Sequence, residues 1–196
     1  MPVKGDGLLK MSLPVQIRLA GSGGQGLILA GIILADAAVK DGYKAVQTQS
    51  YGPEARGGAS AAEVIISKEL ITYPRVEKAD ILVTLTRESC CKYFKDISEN
   101  ALVITDLLLV DEAPETGATV LSLPVVQTAR LQGGEIVSNM VVLGALNCAA
   151  GLVSWPAMEQ ALKERVPGSM YELNRLAMAA GRALVSSKAE KEQEGS

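Results

Sequence analysis

Short apolar segments and longer segments with helical periodicity alternate along this chain. The short segments predict buried β-strands, and the longer ones predict α-helices between them. Strands are expected at 15–20, 44–50, 59–67, 79–86, 102–106 and 119–123. Helices are expected at 25–40, at 87–94, at 138–153 with Ser138 as its cap, from Pro156, and from a capping box at 169–172. The alternation predicts a single α/β domain with three layers, α/β/α, and a mostly parallel, Rossmann-like sheet.

The two ends of the chain lie outside the predicted strands and helices, and the C-terminal end is polar. We expect a flexible leader over residues 1–13, an α/β domain over 14–186 and a disordered tail over 187–196. The leader lacks the apolar stretch of a secretory signal, and no uninterrupted apolar run reaches the roughly 18 residues of a membrane span. A cytoplasmic protein without membrane contact is therefore expected.

The turn between the first strand and the first helix is rich in glycine. It contains Gly21, Ser22, Gly23, Gly24, Gln25 and Gly26, and its glycines fit the G-x-G-x-x-G spacing. Such a turn lets a ligand approach the backbone, and the following helix directs free N–H groups and its positive dipole end into the turn. We expect a phosphate to be favoured there. A tight strand-to-helix turn without a ligand is the alternative.

A second loop, 51–58, is dense in turn-forming residues. It carries Tyr51, Glu54, Arg56, Gly57 and Gly58. The arginine could hold a phosphate or carboxylate through two N–H bonds, and the paired glycines would let the backbone approach it. We expect a second anion-contacting loop that faces the glycine turn. A plain turn with solvated side chains is the alternative.

Polar residues near the ends of two later strands are further candidates. Thr84, Thr86 and Asp106 lie where open α/β sheets form their ligand crevice. A structural role for each is the alternative.

Composition excludes several kinds of chemistry. The chain has no histidine, which removes Ser-His-Asp and Cys-His nucleophile pairs. No carboxylate lies near Gln47, where dinucleotide enzymes hold the ribose, and no Lys-Ser or Lys-Thr follows the glycines as in P-loop NTPases. A net charge of −3 gives no basis for nucleic-acid binding. Cys90, Cys91 and Cys148 lack metal-ligand spacing, so we expect no bound metal, and packing roles for the first two.

Two motifs together carry a resemblance to a known family. Segment 17–26, Ile-Arg-Leu-Ala-Gly-Ser-Gly-Gly-Gln-Gly, and segment 49–58, Gln-Ser-Tyr-Gly-Pro-Glu-Ala-Arg-Gly-Gly, resemble the gamma subunit of 2-oxoacid:ferredoxin oxidoreductases. The strand around 81–86 and the helix with Asn139, Leu143 and Gly144 agree with it. The resemblance covers roughly residues 15–185.

The resemblance implies a complex that oxidatively decarboxylates a 2-oxoacid, joins the acyl group to coenzyme A and passes electrons to ferredoxin. It implies that thiamine diphosphate, magnesium and iron–sulfur clusters lie on alpha and beta partner subunits, with a delta subunit as a further candidate. Enzymes for 2-oxoglutarate, pyruvate, ketoisovalerate and indolepyruvate carry similar chains. A separate short gamma chain favours 2-oxoglutarate or branched-chain systems, and 2-oxoglutarate is the substrate we expect.

By the same resemblance, the glycine turn and the 51–58 loop would contact coenzyme A or partner chains, and this chain would carry no catalytic residue. Two other functions stay open: a free-standing nucleotide-binding oxidoreductase and a purely structural scaffold subunit. The apolar fraction of 48% predicts a homodimer when the chain is isolated.

Overall fold

The computed structural model describes residues 11–50, 60–110 and 117–194, and this part of the chain contains six strands and six α-helices. The strands are β1 (Val15–Gly21), β2 (Lys44–Ser50), β3 (Ser60–Ser67), β4 (Ala79–Thr84), β5 (Ile97–Asp106) and β6 (Thr119–Leu123). The helices are α1 (Leu27–Lys40), α2 (Arg87–Tyr93), α3 (Val125–Gln132), α4 (Ser138–Ala150), α5 (Trp155–Arg165) and α6 (Gly168–Glu194). The predicted α/β fold with a mostly parallel sheet is confirmed.

The strands form one sheet in the order β2-β3-β1-β4-β5-β6. Only β3 is antiparallel to its neighbours, β1 and β2. In dinucleotide-binding sheets the second parallel strand lies directly beside the first. Here β3 separates them, which moves the end of β2 away from the glycine turn by one further strand spacing of about 4.8 Å. The strand that would hold a ribose is therefore displaced from the turn.

The sheet buries both of its faces. Along β1, Ile17 and Leu19 pack with α1 and α4 in the main core, whereas Ala20 packs on the other face with residues of α2. The helices α3, α5 and α6 contribute to the main core, so most of the helical mass covers one side. This alternation follows from the two-residue repeat of a strand.

Two helices of the main core cross at very short distance. A Cβ added to Gly144 on α4 would lie 1.9 Å from the backbone oxygen of Met178 on α6, and one added to Gly181 on α6 would lie 1.8 Å from the backbone oxygen of Val141. Neither position has room for any side chain. The two glycines therefore set the distance between α4 and α6.

A buried ion pair, which the sequence pattern did not predict, bridges β1 and β3. Arg18 and Glu63 are direct partners in the strand register and lie 2.8 Å apart. Arg18 also donates to the backbone oxygen of Val76 and lies 5.0 Å from the ring centre of Tyr93. Both side chains are nearly removed from water, so each charge depends on the other for compensation.

Several predicted boundaries were wrong. The helix α1 begins at Leu27 rather than at Gln25, because the glycine turn occupies the residues before it. The strand β4 ends at Thr84, because Thr86 instead caps α2. The strand β5 begins at Ile97, five residues before Leu102, because it pairs with the start of β4.

The helical predictions also need correction. The eight-residue helix α3 was not predicted, because so short an apolar pattern does not distinguish helix from loop. Ser138 is the first residue of α4 rather than its cap, and its buried hydroxyl has no partner among the described residues. The prediction of a capping box at 169–172 is wrong, because α6 begins at Gly168 and Ser169 therefore lies inside the helix rather than at its N-cap.

The two chain ends differ from the expected leader and tail where they are described. Met11 and Leu13 pack against the main core. At the other end α6 continues to Glu194, where a disordered tail was expected from residue 187. Lys, Ala, Glu and Gln there are good helix formers, and propagating an existing helix is less costly than starting one. Within the described residues no single helix could cross a membrane by length and composition.

Candidate functional site

The glycine turn lies between the end of β1 and the start of α1, as predicted, at the carboxyl edge of the parallel strands. The side chain of Gln25 closes it, since its Oε1 accepts a hydrogen bond of 2.9 Å from the backbone N–H of Ser22. Gly24 and Gly26 have φ angles of 89° and 70°, a left-handed backbone conformation that residues other than glycine rarely adopt. Glycine is therefore required here for the shape of the turn itself.

The tip of the turn is open. Ser22, Gly23 and Gly24 are exposed, and a Cβ added to Gly23 or Gly24 would meet no atom of the described residues within 4 Å. The first turn of α1 has no acidic residue, and no side chain in the described part of the chain caps it. Its backbone N–H groups and positive dipole end thus face an accessible turn, which favours an anion such as a phosphate.

The base of the turn is closely packed instead. A Cβ added to Gly21 would lie 2.2 Å from Oε1 of Gln25, and one added to Gly26 would lie 2.5 Å from Nδ2 of Asn139. Asn139 is buried on α4 and donates a hydrogen bond of 3.1 Å to the backbone oxygen of Gly26. The starts of α1 and α4 are joined by this contact.

The second predicted loop lies outside the described residues, so the side chains of Tyr51, Glu54, Arg56, Gly57 and Gly58 are not located. Its two flanking strands are described. Ser60, the first residue of β3, is the register partner of Gly21, and Ala61 is the partner of both Ala20 and Ser50. The strand β2 therefore ends, and β3 begins, at the edge of the sheet that carries the glycine turn.

The polar residues at the other strand ends have structural partners. The Oγ1 of Thr84 lies 2.6 Å from Oγ of Ser89, and Thr86 forms a capping box with the same serine at the start of α2. Asp106 is fully buried, and its carboxylate accepts hydrogen bonds from the backbone N–H groups of Leu108, Leu109 and Val126. The contacts of Thr84, Thr86 and Asp106 therefore agree with the structural roles that were the alternative to ligand binding.

This architecture matches a known family. The family model described as pyruvate ferredoxin/flavodoxin oxidoreductase matches residues 16–184. The chain belongs to that family. The resemblance inferred from the two glycine-rich motifs is thereby confirmed.

This chain aligns with two relatives from the oxidoreductase family over nearly the whole length of each relative. The 2-oxoglutarate synthase subunit KorC of Methanothermobacter marburgensis is 47% identical over 178 residues, which are 87% of this chain and 96% of that protein. The gamma subunit of the keto/oxoacid ferredoxin oxidoreductase from Geobacter sulfurreducens has a solved structure with a TM-score of 0.81 and 44% identity, covering 88% of this chain and 99% of that chain.

The same fold also occurs within a longer oxidoreductase chain. The 2-oxoglutarate:ferredoxin oxidoreductase from Magnetococcus marinus, solved with 2-oxoglutarate, coenzyme A and succinyl-CoA bound, matches with a TM-score of 0.80 and 24% identity. The match covers 90% of this chain and 32% of that one. At this identity the likeness concerns the fold alone.

Three cavities lie at the opposite edge of the sheet from the glycine turn. One of about 530 Å³ borders the start of β1 and the end of β3, one of about 630 Å³ borders the end of α2 and the start of β5, and one of about 490 Å³ borders the starts of β1, β4 and β5. A phosphate at a helix start is held by surface N–H groups and needs no deep cavity. In this oxidoreductase family member the glycine turn, rather than any of these three cavities, is therefore the candidate site.

The cysteines do not converge on a metal or cluster site. Cys90 and Cys91 lie on α2, on one face of the sheet, whereas Cys148 lies on α4 in the layer on the other face. Iron–sulfur clusters require several thiolates around one centre. Among the residues that the structure describes, no group of three metal-ligating side chains is found.

Proposed function

We propose that this chain is the gamma subunit of a 2-oxoacid:ferredoxin oxidoreductase and that the 2-oxoacid is 2-oxoglutarate. The observation that carries the proposal is the 47% identity to a 2-oxoglutarate synthase subunit over 96% of that protein's length. In the proposed reaction, 2-oxoglutarate is decarboxylated and oxidised, its acyl group is joined to coenzyme A, and two electrons pass to ferredoxin.

In this proposal the bond-breaking chemistry takes place on the partner subunits. Thiamine diphosphate, magnesium and iron–sulfur clusters would be held by alpha and beta subunits, with a delta subunit as a further candidate. The residue types of this chain support that division, since histidine is absent and the cysteines lie on opposite faces of the sheet. The gamma chain would then bind and position rather than react.

We propose that the glycine turn contacts the phosphates of coenzyme A. The free N–H groups of the first turn of α1 would donate to a phosphate, and the exposed backbone around Gly23 would allow close approach. The contacting residues would be Gly21, Ser22, Gly23, Gly24, Gln25 and Gly26. The second loop, with Tyr51, Glu54, Arg56, Gly57 and Gly58, would meet the same ligand, because its flanking strands end at the same edge.

Three further expectations accompany the proposal. The chain forms hetero-oligomers with its partner subunits, and a homodimer when isolated, because nearly half of its residues are apolar. The complex is cytoplasmic. The α/β domain covers at least residues 14–186.

A purification through a tag on this chain tests the class and the substrate. We expect larger chains to co-purify, with iron–sulfur absorbance and thiamine diphosphate. Dye reduction should require coenzyme A and a 2-oxoacid, and should be fastest with 2-oxoglutarate among 2-oxoglutarate, pyruvate, ketoisovalerate and indolepyruvate. A lone, colourless protein under conditions that preserve complexes would overturn the class. Faster turnover of another 2-oxoacid would overturn only the substrate.

The Gly23→Ala variant tests whether the turn contacts coenzyme A. The new methyl group would meet no atom of the described chain and would project into the space where the ligand should lie. We expect the Kd for coenzyme A to rise about tenfold, the equivalent of roughly 1.4 kcal/mol, with unchanged thermal stability. Gly168→Ala is the matched control, since a Cβ there also meets nothing but lies at the start of α6. Equal affinity in both variants would remove the turn from the coenzyme A site.

A further inference from the structure

The side-chain carboxamide of Asn139 connects the starts of two helices, because its nitrogen and its oxygen each form a hydrogen bond with the backbone. Its Nδ2 donates to the backbone oxygen of Gly26, 3.1 Å away, and its Oδ1 accepts from the backbone N–H of Met140, 2.9 Å away. Asn139 is the second residue of α4, and Gly26 is the N-cap of α1. The side chain is only 4% exposed, so water does not compete effectively for these bonds.

The contact helps to fix the orientation of one peptide plane. The backbone oxygen of Gly26 and the N–H of Leu27 belong to the same peptide unit, which is planar, with the two groups pointing in opposite directions. A hydrogen bond that fixes the oxygen therefore also fixes the direction of the N–H. Leu27 is the first residue of α1, so its N–H is the first of the helix-start donors that border the glycine turn.

The contact also fills the space beside Gly26. Gly26 has a φ of 70°, and the nitrogen of Asn139 lies 2.5 Å from where a Cβ would be. The Gly26 oxygen accepts the helical hydrogen bond from the N–H of Ala30 and a second one from Asn139. The amide thus occupies the space behind the turn and leaves the front open.

We infer that Asn139 is a positioning residue for coenzyme A: it orients the Gly26–Leu27 peptide so that the helix-start N–H groups are directed at a phosphate. This inference rests on the proposed contact between the glycine turn and coenzyme A. Asn139 lies behind the turn and acts on the ligand only through Gly26. It belongs to α4, which neither glycine-rich motif includes.

A second asparagine on the same helix provides a matched control. Asn147 is also buried, and its side chain also forms two hydrogen bonds with backbone groups, both to Val153 and both of 3.0 Å. It lies near the carboxyl end of α4, two turns of helix away from Asn139. Replacing either asparagine removes the same number and kind of bonds, but only one is next to the glycine turn.

The experiment compares Asn139→Ala and Asn139→Asp with Asn147→Ala and Asn147→Asp in the intact complex. Kd for coenzyme A is measured by calorimetry without 2-oxoacid, beside KM and kcat. We expect Asn139→Ala to raise the Kd and KM for coenzyme A about tenfold, with kcat at saturating coenzyme A and KM for the 2-oxoacid unchanged. Asn139→Asp should raise them further, since a carboxylate cannot donate to the Gly26 oxygen and would place a negative charge behind the turn that is to bind the phosphate. Both Asn147 variants should retain wild-type affinity despite a similar loss of melting temperature.

The possible outcomes separate this inference from the proposed function. If Gly23→Ala weakens coenzyme A binding but the Asn139 variants behave like the Asn147 variants, the positioning role is overturned and the coenzyme A site stands. If neither Gly23→Ala nor the Asn139 variants alter the affinity, the coenzyme A site itself is overturned. Should Asn139→Ala not assemble, Asn139→Asp, which keeps the size of the side chain, gives the comparison.

Discussion

The side-chain amide of Asn139 donates a hydrogen bond to the backbone oxygen of Gly26 across 113 positions of sequence. This bond joins the turn that follows β1 to the start of α4. Because the amide lies 2.5 Å from the position of a Cβ at Gly26, the two residues exclude any side chain at that glycine. At the front of the turn, by contrast, a Cβ at Gly23 would meet no described atom within 4 Å.

The first prediction concerns Gly26→Ala. A left-handed conformation costs an L-residue about 1–2 kcal/mol, and displacing the buried amide of Asn139 adds about 1–3 kcal/mol. We expect a loss of about 2–5 kcal/mol in the free energy of unfolding, measured by urea denaturation. Gly23→Ala, with open space and no positive φ, should stay within about 0.5 kcal/mol of wild type. Similar losses in the two variants would contradict the described turn.

The second prediction concerns the helix crossing at Gly144. Alanine is favoured over glycine in a helix by about 1 kcal/mol, so propensity alone predicts that Gly144→Ala stabilises the protein. The new Cβ would lie 1.9 Å from the backbone oxygen of Met178, however, and the helices must move apart. We expect a net loss of about 2 kcal/mol or more in thermal or urea unfolding. Gly168→Ala should be neutral or stabilising, and a stabilising effect at Gly144 would show that the crossing is not close.

The third prediction concerns the buried pair of Arg18 and Glu63. Removing one partner leaves the other charge buried, so Arg18→Met and Glu63→Gln should each cost about 3–5 kcal/mol. The double variant should cost clearly less than their sum. A double-mutant cycle in urea measures the coupling, which we expect to exceed about 2 kcal/mol. The same cycle on the exposed pair of Arg130 and Glu135 should give less than about 1 kcal/mol, and equal couplings would refute the buried pair.

The fourth prediction concerns the adjacent cysteines. Burial raises the pKa of the Cys90 thiol above its ordinary value, and the neighbouring Cys91 raises it further, whereas Cys91 itself is exposed. Less thiolate and less access both slow alkylation of Cys90. In a Cys148→Ser background, iodoacetamide at pH 8 should modify Cys91 first, and a further Cys91→Ser change should leave a slowly reacting protein. Peptide mass spectrometry reads the order, and equal rates would contradict it.

The raised pKa also gives a direction for the pH dependence of stability. The folded state holds the Cys90 proton more tightly than the unfolded state does, so its contribution is fully present below the unfolded pKa of about 8.5. That contribution falls as the pH rises above this value. In urea unfolding, wild type should therefore lose more stability between pH 8 and pH 10 than Cys90→Ala does.

The glycine turn could be predicted because its requirements are local. A buried strand, closely spaced glycines and an apolar helix follow one another within 26 residues from Val15 to Lys40, and each has its own pattern. The role of Asn139 could not be predicted in this way. An asparagine inside an apolar helix has no periodic signal that reveals its partner 113 positions earlier.

The sequence by itself determined the α/β class, the bounds of β2 and β6, the glycine turn and the family. These could be predicted because strand periodicity, helix periodicity and short motifs are all properties of neighbouring residues. The tertiary structure decided the rest. It inserted antiparallel β3 between β1 and β2, paired Arg18 with Glu63, brought Gly144 against Met178 and joined Asn139 to Gly26. Each of these contacts joins segments that are far apart in the sequence. The free energy of such a contact depends on both partners together, and it leaves no pattern among neighbouring residues from which it could be predicted.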